Sequence, residues 1–241
     1  MAVVATIAGI MIHSGCDIMN DIYDIEIDKI CKPDGAISSG QMTLKNAWMY
    51  MLLLFLAALI ISLNLGTILF TCLLTGIIVG GILYSHPKFR LKDTPGMGMV
   101  CMAVCFALES IGVWSIYSPV NTDGLIVTAY VFVLVFSLTF MKDFKDVAGD
   151  VNSLPLTLGI RPAARVCSII TVFPLIPLIY AAAEYHYLAL VVVMYIFLAS
   201  GCIRILLDDP VVKGQRLKER MVLTLTVPNY TVFLFTMGST L

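Results

Sequence analysis

The chain alternates between long apolar runs and short polar loops. A helix needs about 20 predominantly apolar residues to cross a bilayer. Eight segments approach that length: roughly 1–20, 47–63, 66–84, 98–118, 124–141, 165–183, 186–207 and 221–238. The pattern predicts an all-α fold, a polytopic transmembrane helix bundle. Several segments contain Gly or Pro, Pro174 and Pro177 among them, so kinks are expected. The opening MAVVATIAGIMIHSG lacks a basic n-region and runs straight into an acidic stretch. It is therefore read as a span and not as a cleaved leader.

Composition agrees with this map. Hydrophobic residues make up 59% of the 241 and charged residues 13%, with a mean hydropathy of +0.95. A soluble domain is about 45–50% apolar and about 25% charged. The expected setting is the lipid bilayer. A net charge of −1 gives no reason to expect a nucleic-acid partner. The seven cysteines fall mostly inside apolar runs without any CxxC, and are read as small core residues.

The cations are distributed on one side only. If the segments alternate direction, the loops 21–46, 85–97, 142–164 and 208–220 share one face. Those loops and their helix ends hold all 15 Lys and Arg residues. The other face has Asp123, Glu184 and His186. This bias marks the charged face as cytoplasmic.

Two acidic stretches lie on that face. In NDIYDIEID, residues 20–28, Asp21, Asp24 and Asp28 are spaced i, i+3, i+7. In KDFKDVAGD, residues 142–150, Asp143, Asp146 and Asp150 repeat the spacing. Such positions share one face of a helix, whereas Glu26 points elsewhere and is expected to be solvated. Each triplet ends an apolar run and precedes a Pro- and Gly-containing stretch. The repetition predicts one membrane domain over 1–241, built from pseudo-repeat halves of about 1–118 and 124–241.

Acidic helix ends also serve as solvated caps, but two matched triplets on one face call for a ligand. Converging carboxylates repel unless a cation joins them. Oxygen donors without His or Cys suit a hard ion, Mg²⁺ before Zn²⁺. Mg²⁺ typically takes one or two carboxylates together with substrate phosphates. A diphosphate bound through Mg²⁺ is the expected ligand. Asn20 adds an amide to the first triplet. The loop YSHPKFRLK, residues 84–92, brings Tyr84, Lys88, Arg90 and Lys92 to the same face, and Lys142 precedes the second triplet. Lys88 and Arg90 are expected to draw charge onto the leaving diphosphate. Glu109 lies mid-span, where an acid is costly and a functional candidate. His13 is expected to be a packed interior histidine.

These stretches resemble the motifs of the UbiA superfamily of intramembrane prenyltransferases. NDIYDIEID is similar to its NDxxDxxxD motif, DFKDVAGD to its DxxDxxxD motif, and YSHPK to its YxxxK element. DKICKPDGAISSG is similar to the DxxxRPxxPIxSG segment, with Lys32 where Arg is usual. The resemblance implies a bundle of about nine spans around a central cavity, Mg²⁺ as cofactor, and a prenyl diphosphate (geranyl to geranylgeranyl or longer) as substrate. It assigns Asp21, Asp24, Asp28, Asp143, Asp146 and Asp150 to metal binding and catalysis. Lys88 is implied as catalytic, and Asn20, Tyr84, Lys88, Arg90 and Lys142 as substrate-binding.

The first motif comes early relative to the family, whose first helix has no counterpart here, through truncation, a missing segment or divergence, and the loop after Asp150 is shortened or incomplete relative to the family. The implied acceptor is a membrane-associated lipid or quinone precursor. Two other classes fit parts of the sequence. A secondary transporter would use paired acids, but near the bilayer midplane. A CDP-alcohol phosphotransferase would show DG followed by AR, and DGAIS lacks the AR.

Overall fold

The computed structural model describes residues 1–147 and 153–238. They are helical, with no strand among them. In chain order the helices are α1 (Ala2–Tyr23), α2 (Ile25–Cys31), α3 (Leu44–Leu65), α4 (Thr67–Gly76), α5 (Met97–Tyr117) and α6 (Thr122–Thr139). Then come α7 (Asp143–Asp146), α8 (Leu154–Leu158), α9 (Ile160–Ile170), α10 (Leu175–Glu184), α11 (Ala189–Asp208) and α12 (Gly214–Gly238).

Six helical stretches among the described residues are long and apolar enough to span a membrane: Ala2–Tyr23, Leu44–Leu65, Met97–Tyr117, Thr122–Lys145, Ile160–Glu184 and His186–Asp208. Thr67–Leu83 is apolar but shorter. The eighth predicted segment lies within α12, whose interior contains Pro228.

The chain divides into two compact units, Met1–Thr128 and Ala129–Leu241. In the first, α1 packs along α3, and α4 packs along α5. Lipid offers an apolar side chain nearly as good a surroundings as protein does, so helices associate where small residues let backbones approach. Ala5 and Ala8 on α1 and Ala47 and Ala58 on α3 are buried accordingly. At Gly15 a Cβ would collide with the Phe55 ring, and at Gly112 it would stand 2.9 Å from Leu69 Cδ1. Outward side chains such as Leu52, Leu53, Leu56, Ile60 and Leu63 remain exposed, which suits a lipid-facing surface.

In the second unit, α11 packs against α9 and α12. Tyr195 is fully buried, and its hydroxyl donates to the Thr171 carbonyl at 2.7 Å. That carbonyl lies at the break between α9 and α10, where Pro174 and Pro177 withhold N–H donors from the first turn of α10. The predicted kink is thus stabilised by a tyrosine from another helix. Arg161 donates to the carbonyls of Leu207 (3.1 Å) and Asp208 (2.9 Å), capping the end of α11. Cys16, Cys72, Cys101, Cys105, Cys167 and Cys202 are free thiols within helices.

Replacing Tyr195 by Phe preserves shape and removes the donor to the Thr171 carbonyl. We expect a loss of about 0.5–1.5 kcal/mol, seen as a lower melting temperature in detergent. An unchanged melting curve would mean that the break holds itself.

Candidate active site

The first acidic motif sits where α1 hands over to α2. Asp24 leaves helical geometry (φ −99°, ψ 9°), yet its N–H still donates to the Asn20 carbonyl at 2.9 Å. Helical bonding resumes at Asp28, whose N–H donates to the Asp24 carbonyl at 2.8 Å. The single-residue break redistributes side chains that an unbroken helix would place together.

Two clusters result. In one, Lys32 Nζ lies 3.5 Å from Asp21 Oδ1 and 3.4 Å from Asp28 Oδ2. Burial works against the Lys32 charge, but the Asp28 and Asp21 carboxylates outweigh it and raise its pKa. Lys32 is carried there by the turn after α2, which Ser38 staples by donating to the Lys32 carbonyl at 2.5 Å. In the other cluster, Arg90 Nη1 donates to Asp24 Oδ1 at 3.2 Å, and Lys92 Nζ pairs with Asp24 Oδ2. Lys92 Nζ also donates to Asn20 Oδ1 at 2.6 Å, and Ser85 Oγ reaches that oxygen at 3.3 Å. Asp24 is buried, and the Lys92 side chain is only 12% exposed. Glu26 is exposed and pairs with Lys29 at 2.7 Å, away from both clusters.

The basic side chains arrive by an unusual route. α4 continues into a π-helix at Ile77–Leu83, and the N–H of Tyr84 reaches back to the Val79 carbonyl. Gly80 and Gly81 lie against Cys105, Cys16 and Met19, so the wide turn packs closely on α1 and α5. It delivers the buried Ser85 hydroxyl to Asn20. Tyr84 turns its ring toward Gly98, where a Cβ would lie 3.6 Å from Cε2. His86 packs edge-on against Tyr23, with ring centroids 5.3 Å apart, and Tyr23 against Trp48 at 5.9 Å.

The chain then turns at Arg90, the one non-glycine residue with positive φ among those described (φ 39°, ψ 50°). This left-handed step is unfavourable for a side chain by about 1–2 kcal/mol. Arg90 is held there by Asp93 at 2.6 Å as well as by Asp24. The hydrogen bond that Arg90 donates to Asp93 raises the Arg90 pKa. Lys88 is exposed, with Nζ 5.9 Å from the Phe89 ring centroid. No carboxylate among the described residues pairs with it.

The second motif belongs to the other unit. Asp143 opens α7 and is buried, Lys142 beside it is half-buried, and Phe144 is fully buried. At Gly214 a Cβ would stand 2.8 Å from the Lys145 Cα, so the start of α12 passes close beneath α7. The Asp146 side chain and Asp150 lie outside the described residues.

Three further polar residues join the first motif's helix. Asp17, one turn before Asp21, is exposed on α1. Its signal in the sequence is the 4-3-4 spacing Asp17, Asp21, Asp24, Asp28. His13 Nε2 lies 3.3 Å from Glu109 Oε2, and its ring centroid is 4.9 Å from that of Phe106. Glu109 rests against Gly9, where any Cβ would collide with its carboxylate. The mid-span acid and the interior histidine are therefore partners.

No group of three His, Cys, Asp or Glu side chains converges among the described residues. What the first motif presents is two pairs of oxygen-bearing side chains, Asp21 with Asp28 and Asn20 with Asp24, each gathered around one ammonium. Two such donors are what Mg²⁺ takes from a protein when phosphate completes its shell. The donor set therefore fits that ion.

Comparison with known proteins gives the family. A model of the UbiA prenyltransferase family matches residues 1–235. A digeranylgeranylglyceryl phosphate synthase from Methanosphaera stadtmanae is 31% identical over 192 residues, covering 76% of this chain and 66% of its own length. A 2-acylphloroglucinol 4-prenyltransferase from Humulus lupulus is 31% identical over 144 residues, covering 55% of this chain and 34% of its own length. The chain thus spans less than two thirds of either relative. The structure of a UbiA homolog from Archaeoglobus fulgidus, described as bound to GPP and Mg²⁺, superposes with a TM-score of 0.74 at 17% identity, covering 95% of this chain and 86% of its own. The fold is that of the UbiA homologs, and the chain is an integral membrane protein that belongs to the UbiA prenyltransferase family.

Proposed function

We propose that this protein is an Mg²⁺-dependent prenyltransferase. It moves a prenyl group from a prenyl diphosphate to a membrane-associated acceptor and releases diphosphate. The observation that carries the reading is the polar end of α1. There Asn20 and Asp24 hold Lys92 and Arg90, beside the Asp21–Asp28 pair, in a chain of this family. The names of the relatives support a lipid acceptor such as geranylgeranylglyceryl phosphate, or an aromatic or quinone precursor.

In this reading Asp21, Asp24, Asp28, Asp143, Asp146 and Asp150 are the residues that would hold Mg²⁺. The ion supplies positive charge that favours departure of the diphosphate. Arg90, Lys88 and Lys142 bind the same anion, with Asn20 and Tyr84 orienting it. The C1–O bond breaks and its electron pair leaves on the diphosphate oxygen. The acceptor nucleophile bonds to C1 and gives up a proton. Apolar surroundings keep water from capturing the electron-poor C1.

The chain crosses the membrane eight times, and its halves, about 1–118 and 124–241, descend from one repeated unit. The motifs face the cytoplasm, a placement supported by the one-sided distribution of Lys and Arg.

The central test is diphosphate release from radiolabelled geranyl and geranylgeranyl diphosphate, with Mg²⁺ and a panel of acceptors. The wild-type protein is expected to form a labelled prenyl product with at least one acceptor. Asp24→Asn should lower turnover by about 10²-fold, and full activity in that variant would sink the assignment. Orientation has its own readout. A cysteine at Lys213 in a cysteine-free background should react with a membrane-impermeant maleimide from the cytoplasmic side, and one at Asp123 from the opposite side. The reverse labelling pattern would overturn the topology.

A further inference from the structure

Lys92 has no place in the reaction outlined above, yet it is the most deeply held cation near the first motif. Its ammonium takes Asp24 Oδ2 and Asn20 Oδ1 together, and its side chain is 12% exposed. Arg90 occupies the other Asp24 oxygen, so both carboxylate oxygens have cationic partners. The oxygens around Lys92 are also the kind a hard divalent ion takes. An ammonium and a divalent cation repel strongly at the separation these shared oxygens impose.

We propose that Lys92 is a tethered counter-cation that competes with the divalent metal for Asn20 and Asp24, and that leaves them for the diphosphate. The inference rests on the proposed function for the identity of that anion. Lys92 cannot leave a buried carboxylate cheaply unless another anion receives it. A diphosphate is such an anion, and the metal replaces the lost charge at Asp24. Metal and diphosphate therefore strengthen each other's binding, and the coupling is reciprocal. Metal alone binds weakly because it must evict Lys92 into a site with no anion.

The geometry of the loop supports a side chain that swings between partners. Lys92 sits in the one-turn 3-10 segment Leu91–Asp93, directly after the left-handed Arg90. Arg90 is fixed at both ends of its guanidinium by Asp93 and Asp24. The backbone is thus anchored by its neighbour, and once the ammonium gives up Asp24 and Asn20 the flexible four-carbon stem is what redirects it.

The test is binding, independent of turnover. Mn²⁺ affinity is measured by electron paramagnetic resonance on the purified protein in nanodiscs, with and without inorganic pyrophosphate and with chelation in solution subtracted. In the wild-type protein pyrophosphate should tighten Mn²⁺ binding about tenfold, within the usual range of such couplings. Lys92→Met should bind Mn²⁺ alone about tenfold more tightly than wild type, lose most of the pyrophosphate enhancement, and turn over slowly. Lys92→Arg, which keeps the charge, should stay near wild type for Mn²⁺ alone. Lys45→Met, at the exposed start of α3, is the control for lost charge and should change neither quantity.

Lys92→Met binding Mn²⁺ no more tightly than wild type would overturn the inference, as would an undiminished pyrophosphate effect. If Lys92→Met does not fold, failure of Lys92→Arg to hold the wild-type Mn²⁺ affinity would overturn it instead. Coupled Mn²⁺ and pyrophosphate binding without prenyl transfer to any acceptor would leave this inference standing and remove the proposed function.

Discussion

A carboxylate buried at a membrane helix end must find positive charge, and Asp24 organises the first unit around that need. Its partners are Arg90 and Lys92, from a segment more than sixty positions along the chain. To bring them in, the chain leaves α4 through a π-helix, docks His86 on Tyr23, and takes a left-handed step at Arg90. Each of these departures from regular geometry costs free energy. Arg90 and Lys92 together compensate the buried Asp24 charge, one on each carboxylate oxygen.

The all-helical membrane fold was legible from hydropathy because membrane helices must satisfy their own backbone and present apolar side chains to lipid. The acidic motif was legible for a similar reason, since charges in an oily chain stand out. The partition of that motif was not. An i, i+3, i+7 spacing assumes an unbroken helix, and the break at Asp24 separates an Asp21–Asp28 pair from an Asn20–Asp24 pair. Only the Asn20–Asp24 pair carries Lys92.

The choice among the basic residues was hidden for a different reason. Tyr84 and Lys88 are four apart, which suggests one helical face, but the helix stops after Ser85 and the chain turns outward. Lys88 is therefore exposed, while Lys92, nominally farther off, returns to Asn20. Asp17 escaped notice inside the first apolar run. The pairing of His13 with Glu109 joins residues 96 positions apart, and no local pattern encodes it.

The π-helix at Ile77–Leu83 acts as a phase setter. A wide turn accommodates one residue more than an α-turn in the same axial rise, so everything after it is rotated by roughly 100° relative to a regular continuation. Ser85 meets Asn20 only in that rotated frame. The identity of the side chains at the site and the angular register that presents them are thus encoded in different stretches of sequence. The glycine pair Gly80–Gly81 governs register without supplying any group that touches Asn20 or Asp24. A relative that lost one residue from this segment could keep every motif intact and still aim Ser85 and Lys92 at the wrong face of the helix.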